Sequence, residues 1–247
     1  MPTENQKQQI REKARNGDSV NQIKEELGLP KSTVYYHFKK EVGQKQKENA
    51  LKLPEDDEVI GEICGVFAGD GNFYYEENNY KYRIKFTLNI NQGYWKKLAK
   101  FLEENLQKKP RINHQENYNR TNLRYESKPL LNLLKEHLTW EEDKTATIKL
   151  RGKEYSKEFK IGFLRGLLDT DGHKDSTRKR YCFSTVSSEL GKNISEFLGD
   201  LHITHKAKTY GDKRENCQDM NRIYINGENT KKLTAKIQPR HPKKTSY

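Results

Sequence analysis

No stretch of this 247-residue chain approaches the ~20 consecutive apolar residues a membrane-spanning helix needs. The opening residues, MPTENQKQQI, lack the apolar core of a secretory signal. Cysteine is scarce: Cys64, Cys182 and Cys217 form no CxxC pair and cannot all be paired with one another. A disulfide scaffold is excluded, each cysteine is expected to pack, and a reduced intracellular setting, cytoplasm or organelle, fits best. Histidine is equally unhelpful to a metal argument. His202 and His205 are neighbours, but no cysteines or carboxylates stand near them at zinc-ligand spacing. Intein splicing segments are not expected either, because the chain opens on Met rather than Cys or Ser and closes on Tyr rather than His-Asn.

What the chain has in excess is positive charge. Lys and Arg number 47 against 35 Asp and Glu, a net charge of +12. Such a surplus draws polyanions, nucleic acid before anionic membrane. Hydrophobic residues make up only 32%, but they recur in periodic blocks, which argues for folded domains rather than disorder.

Residues 1–42 read as a small all-α domain. Ile10 and Ala14 set one helical face, and Gly17-Asp18-Ser19 ends it. Val20, Ile23 and Leu27 set a second face with Ser19 as N-cap, and Gly28-Leu29-Pro30 turns into a third helix from Lys31. Helix, short glycine turn, helix is the helix-turn-helix layout. The stretch resembles the helix-turn-helix of resolvase-like and archaeal regulator families. In that layout Lys31, Ser32, Thr33, Tyr35 and Tyr36, with His37, would face bases in the major groove. The plainer reading is a three-helix cap. Residues 43–57 are polar, contain a proline and read as a linker.

The remainder divides into two similar units, 58–150 and 151–247. Each opens with an apolar helix ending in Asp-Gly and continues with two strands, a helix, two strands and a final helix. Residues 81–90 alternate cleanly: Tyr82, Ile84, Phe86, Leu88 and Ile90 point one way, and Lys81, Arg83, Lys85, Thr87 and Asn89 the other. Residues 92–106, 128–138, 188–201 and 228–237 read as helices, with Trp95 inward in the first. Residues 119–127, 178–186 and 222–227 read as strands.

The two helix ends are ICGVFAGDG (63–71) and LRGLLDTDG (164–172). A glycine inside a helix costs roughly 1 kcal/mol relative to alanine, so Gly65 and Gly166 need a reason. Close packing of two helices, backbone to backbone, supplies it. That packing brings Asp70 and Asp171 together, and Gly71 and Gly172 are expected to end the helices in the left-handed conformation. Two adjacent carboxylates at helix C-termini call for a cation. Mg²⁺ or Mn²⁺, which bind carboxylates and water and leave room for phosphate oxygens, suit phosphodiester hydrolysis. One Asp-Gly is usually only a turn; two copies 101 positions apart carry the argument.

These motifs resemble those of the LAGLIDADG homing endonucleases, over about residues 58–247. The resemblance implies an α+β fold of two pseudo-symmetric αββαββα repeats with saddle-shaped DNA-binding sheets. It implies metal-dependent cleavage of double-stranded DNA at a long, asymmetric target by a monomer, with no membrane partner. It places Asp70 and Asp171 at the metal, with Gly69 and Thr170 beside them. It gives Lys144 and Lys244 (Lys243 as rival) the role of the basic residue near the site, whether catalytic or a phosphate clamp. It offers Gln92 or Asn91, and Ser187, for placing water. Ala68 departs from the pattern where Asp169 keeps a structural acid, and Thr170, in place of a small residue, is expected to loosen the helix packing. On the polar sheet faces Arg83, Lys85, Arg120, Arg124, Arg180 and Arg222 would contact DNA. A DNA-binding transcription regulator or an RNA maturase on the same scaffold is the alternative.

Overall fold

The computed structural model describes residues 2–42, 51–76, 81–152, 154–211 and 218–245. Cys217 lies outside them. Two compact units, Met1–Ala50 and Leu51–Tyr247, each have a core of their own.

The first unit holds α1 (Glu4–Arg15), α2 (Val20–Leu27) and α3 (Lys31–Val42). Thr3 and Ser19 each form a capping box with the glutamine three residues on, which fixes where α1 and α2 begin. Gly28, at φ 63°, ends α2 in the left-handed conformation. Ile10, Ala14, Ile23, Val34 and Phe38 form the core. Lys31, Ser32, Tyr35 and Tyr36 are exposed on α3 and Thr33 is half-buried. His37 turns inward and is buried, so it does not share their face.

In the second unit α4 (Asp57–Asp70), β1 (Gly71–Glu76), β2 (Lys81–Asn89), α5 (Tyr94–Leu106), β3 (Arg111–Gln115), β4 (Arg120–Glu126) and α6 (Lys128–His137) make one αββαββα repeat. A connector follows: β5 (Leu138–Thr139), the single-turn α7 (Lys144–Thr147) and β6 (Lys149–Leu150). The second repeat is α8 (Lys157–Asp171), β7 (His173–Asp175), β8 (Arg180–Thr185), α9 (Ser188–Asp200), β9 (Lys206–Tyr210), β10 (Met220–Asn226) and α10 (Glu228–Ile237). Each repeat builds a four-stranded antiparallel sheet, ordered β1-β2-β4-β3 and β7-β8-β10-β9. Ile84, Phe86, Leu88, Leu123 and Tyr125 turn one face of the first sheet into the core, as alternation requires.

Three local expectations need correction. Residues 51–56 are not a free linker: Leu51 packs on the core, the Lys52 amide donates to Leu106 O (3.0 Å), and Asp56 N-caps α4. The helix expected from residue 92 starts at Tyr94. Asn89 caps a 3₁₀ turn over Ile90–Gln92, and Gly93, at φ 71°, redirects the chain. Tyr94 and Phe101 then enter the core, while Trp95 is only half-buried and donates to Ile90 O.

α4 and α8 are the centre of this unit. Among the residues buried along them are Ile63, Val66, Phe67, Phe163, Leu164 and Leu167. A Cβ on Gly61 or Gly65 would collide with the backbone of Phe159 or Phe163, and one on Gly162 or Gly166 with the backbone of Glu58 or Glu62. Four glycines, not two, therefore set the approach. On each helix they recur at a spacing of four, the period of one helical ridge.

Candidate active site

The crossing of α4 and α8 carries both chains to the same end of the helix pair. Asp70 is the last residue of α4 and Asp171 the last of α8. A Cβ on Gly69 would lie 3.3 Å from the Asp171 carboxyl carbon, so the second aspartate reaches across to the first helix. Burial, and then the neighbouring Asp171 carboxylate, push the Asp70 carboxyl up to about 7. Asp171 is exposed, yet the protein packed around its carboxyl still raises it, and Lys144 and Lys244 partly oppose the rise.

Gly71 and Gly172 are extended, with φ −81° and −71°, and not left-handed. Glycine is needed for space instead. Each chain folds back over the last helical turn so closely that a Cβ would meet Phe67 at Gly71 and Leu168 at Gly172. Thr170 does not loosen the packing. Its hydroxyl donates to Gly166 O (2.9 Å) and Leu167 O (3.2 Å) and fills the space that Gly69 leaves open.

Both predicted lysines arrive at the helix ends. Lys144 Nζ donates to the carbonyls of Phe67 (2.9 Å), Ala68 (2.8 Å) and, at 3.4 Å, Gly69. Lys244 Nζ donates to those of Leu168 (2.8 Å), Asp169 (3.0 Å) and Thr170 (3.2 Å). These are carbonyls that a helix C-terminus leaves without partners, and a cation there also meets the negative end of the dipole. Burial lowers both lysines to about 8, against the pull of the nearby aspartates. Lys243 is exposed and makes no such contact. The result is a cluster in which two ammoniums face Asp70 and Asp171 where the helices end.

With this geometry in place, the comparison with known proteins is direct. Residues 158–238 match the family model of the LAGLIDADG-like domain. The chain carries a LAGLIDADG-like domain. Its fold is that of the homing endonuclease I-DmoI. Mesophilic variants of that protein match with a TM-score of 0.58 and 21% identity, over 77% of this chain and 98% of theirs. I-DmoI in complex with DNA and Mn matches at 0.54 and 22%, over 73% and 96%. The N-terminal LAGLIDADG domain of DUF199/WhiA matches at 0.50 and 16%, over 76% and 86%. No curated protein matches in sequence.

The two central helices, α4 and α8, are not equivalent at their tips. The Asp169 carboxylate accepts the backbone N–H groups of Arg240 (2.8 Å) and His241 (3.1 Å), anchoring the C-terminal segment, and burial raises it to about 6. At the matching position Ala68 carries no acid. Beside it, Phe67 packs on Trp140 with ring centroids 5.0 Å apart. A cavity of about 300 Å³ opens there between Ala68, Lys144, Thr145, Asp171 and Thr185. Gln92 lies on the other side. His241 Nδ1 accepts from the Lys243 amide (3.1 Å), so the ring proton is on Nε2, which donates to Gln92 Oε1 (2.8 Å). Asn91 is exposed and bonds Asn119, and Ser187 is the buried N-cap of α9, its hydroxyl donating to Ile148 O.

A buried ion network, not foreshadowed by periodicity, joins the two central helices to the C-terminal segment. Glu62, fully buried on α4, accepts from Arg165 of α8 (2.8 Å) and from Arg240 Nε (2.5 Å) and Nη2 (3.1 Å); Arg165 also bonds Glu58 and Ile237 O. Only the unusual placement of charge inside an apolar helix signals this network. The predicted basic residues share the outward sheet faces. Arg83, Lys85, Arg120 and Arg124 occupy paired positions on β2 and β4, and Arg180 and Arg222 occupy β8 and β10. Arg180 stacks over Tyr224 (4.7 Å) and Arg222 over Tyr210 (5.1 Å).

Proposed function

We propose that this protein is a site-specific endonuclease that cuts double-stranded DNA at the ends of its two LAGLIDADG helices. The observation that carries the reading is the Asp70/Asp171 pair: a half-buried carboxyl raised to about 7 beside a second, exposed one that contributes to the rise. A divalent cation would relieve both the burial cost and the repulsion, and hard oxygen donors suit Mg²⁺ or Mn²⁺. Crystal structures of I-DmoI with DNA include Mn or Ca, and a Gly-to-Ser variant was solved with Mg. Among the described residues no cluster of three or more His, Cys, Asp or Glu exists. Asp70 and Asp171 would therefore be the side-chain ligands, with the Gly69 and Thr170 carbonyls, water and phosphate oxygens completing the shell. Bound there, the ion would lower the pKa of water and neutralise charge on the phosphate.

The chain's own residues divide the remaining work. Lys144 and Lys244 spend their N–H groups on helix carbonyls, so they act on the phosphate through charge rather than through a donated hydrogen bond. Gln92, whose side chain His241 holds at 2.8 Å, would orient water. Arg83, Lys85, Arg120, Arg124, Arg180 and Arg222 would hold phosphates and read bases, and the differences between the two sheets imply an asymmetric target bound by a monomer. Lys31, Ser32, Thr33, Tyr35 and Tyr36 of the N-terminal unit form a second DNA-reading surface.

A plasmid or genomic-fragment cleavage assay with Mg²⁺ tests the reading. Wild type should yield discrete double-strand products, and Asp70→Asn and Asp171→Asn should not. Equal behaviour of all three would end the nuclease proposal. Tight, specific binding with no cutting would favour the regulator, a reading to which the separate three-helix unit lends weight.

A further inference from the structure

A face meant for a polyanion should hold few carboxylates, yet the outward face of the first sheet holds Glu76 on β1 and, at the centre of its cations, Glu126. Glu126, the last residue of β4, has Arg111 Nη1 at 3.5 Å, Arg83 Nε and Arg124 Nη2 at 3.6 Å, and Lys81 Nζ at 3.8 Å. Four cations surround it, but none makes the short charge-assisted bond of ~2.8 Å that a committed ion pair shows. Arg83 makes its close pair with Glu76 instead, at 2.6 Å. The Glu126 carboxylate is thus ringed by positive charge, partly open to solvent, and short of donors.

The fold does not require an acid there. β10 of the second repeat runs in the same place in its own sheet, and its last residue, paired with Arg180 as Glu126 is paired with Arg83, is the neutral and exposed Asn226.

We infer that Glu126 is a specificity-determining residue that reads a cytosine amino group in a C·G base pair, with its flanking arginines on the guanine. The inference rests on the proposal that this sheet face lies in the DNA major groove. There cytosine offers only its N4 amino donor, which suits a carboxylate. Adenine sets the N7 acceptor beside its amino group and would repel it. Guanine offers O6 and N7, the acceptors an arginine fork fits. Without DNA the same carboxylate offsets its neighbours' charge and lowers affinity for arbitrary sequence. Register fixes the place: Glu126 opposes Arg83, which opposes Tyr74, three residues along β1 from Gly71. At ~3.3 Å per residue that is roughly 10 Å along the sheet from the end of α4, and two strand spacings of ~4.8 Å set Glu126 roughly another 10 Å across it, about 14 Å in all, or about four base pairs at ~3.4 Å each.

The test is selection of bound sequences by the full chain from a pool of randomised duplexes in EDTA, with titration of a fixed random-sequence duplex beside it. Wild type is compared with Glu126→Gln and with Glu126→Asn, the residue the second repeat already tolerates. Wild type should select a C·G pair about four positions from the centre with about tenfold preference. Both variants should lose that preference, Glu126→Gln drifting toward A·T, and should bind the random duplex several-fold more tightly with a steeper salt dependence. If wild type selects a consensus and the variants return the same consensus and affinity, the role of Glu126 is refuted and DNA binding stands. Loss of all binding in both variants refutes it too, since a carboxylate that opposes DNA cannot be required for it. If wild type binds no duplex, the failure belongs to the proposed function.

Discussion

Lys144 and Lys244 stand in the same relation to two different helices, each placing one ammonium on the final carbonyls of its own LAGLIDADG helix. A lysine has three N–H donors, and here all are directed at backbone. Replacing either by methionine keeps the stem and removes the cap and the charge. Each variant should lose about 1–2 kcal/mol of stability and most of its cleavage rate, read by thermal melting and by plasmid cutting. Arginine should restore charge without stability, because a planar fork cannot point three donors at one helix end.

The Asp70 carboxyl sits at about 7, above its ordinary range, mainly through burial and then through Asp171. A carboxyl raised on folding binds a proton that the unfolded chain has already shed. Its contribution is therefore present at low pH and lost as pH rises through 7. Without metal, Asp70→Asn should gain on wild type between pH 4 and 7 and be the more stable above it, by on the order of 2 kcal/mol once solvent screening is allowed for. Mg²⁺ binds the ionised form, so it should raise the wild-type melting point at pH 8 far more than at pH 5 and do little for the variant. Equal Mg²⁺ effects on both proteins would mean that Asp70 is no ligand.

The paired motif and the order of elements were legible because each is written in local periodicity or in a repeated spacing, whereas Lys144 and Lys244 came only from the family resemblance. β3 and β9 were not. All five residues of each are exposed, so neither alternates between apolar and polar, and periodicity had nothing to report. The conformation of Gly71 and Gly172 was misread for a related reason. A glycine after a helix signals a left-handed cap by default, whereas here the requirement is room beside Phe67 and Leu168, a tertiary fact. Glu62 and Arg165 were passed over because charge on a helix ordinarily faces water; only the packing of α4 on α8 buries them.

The helix glycines should separate sharply by alanine substitution. At Gly65 or Gly162 the new Cβ meets backbone of the opposite helix, which cannot give way as a side chain can. The helices must part, at a cost on the order of 3 kcal/mol, with loss of cutting as the aspartates separate. Gly199, near the end of α9, has nothing within 4 Å of a new Cβ. Alanine there should stabilise by about 0.5–1 kcal/mol through helix propensity and a less flexible unfolded chain. Similar melting points for the Gly65 and Gly199 variants would contradict the close approach.

The Glu62 network joins α4, α8, the end of α10 and Arg240 across the two repeats, so it fixes how one repeat docks on the other. Breaking a buried ion pair from one side strands the remaining charge, at about 3–5 kcal/mol. Arg165→Met should cost in that range, because it removes the donor to Glu62, Glu58 and Ile237 O together. Glu62→Gln leaves Arg165 its bonds to Glu58 and Ile237 O and leaves Arg240 partly in solvent, so it should cost less than Arg165→Met, and the double variant should cost less than the sum, since residues sharing one network are not additive. Urea unfolding of the four proteins closes the cycle. Strict additivity would mean that Glu62 and Arg165 are held by their separate surroundings and that register between the repeats is set by the glycine ridges alone.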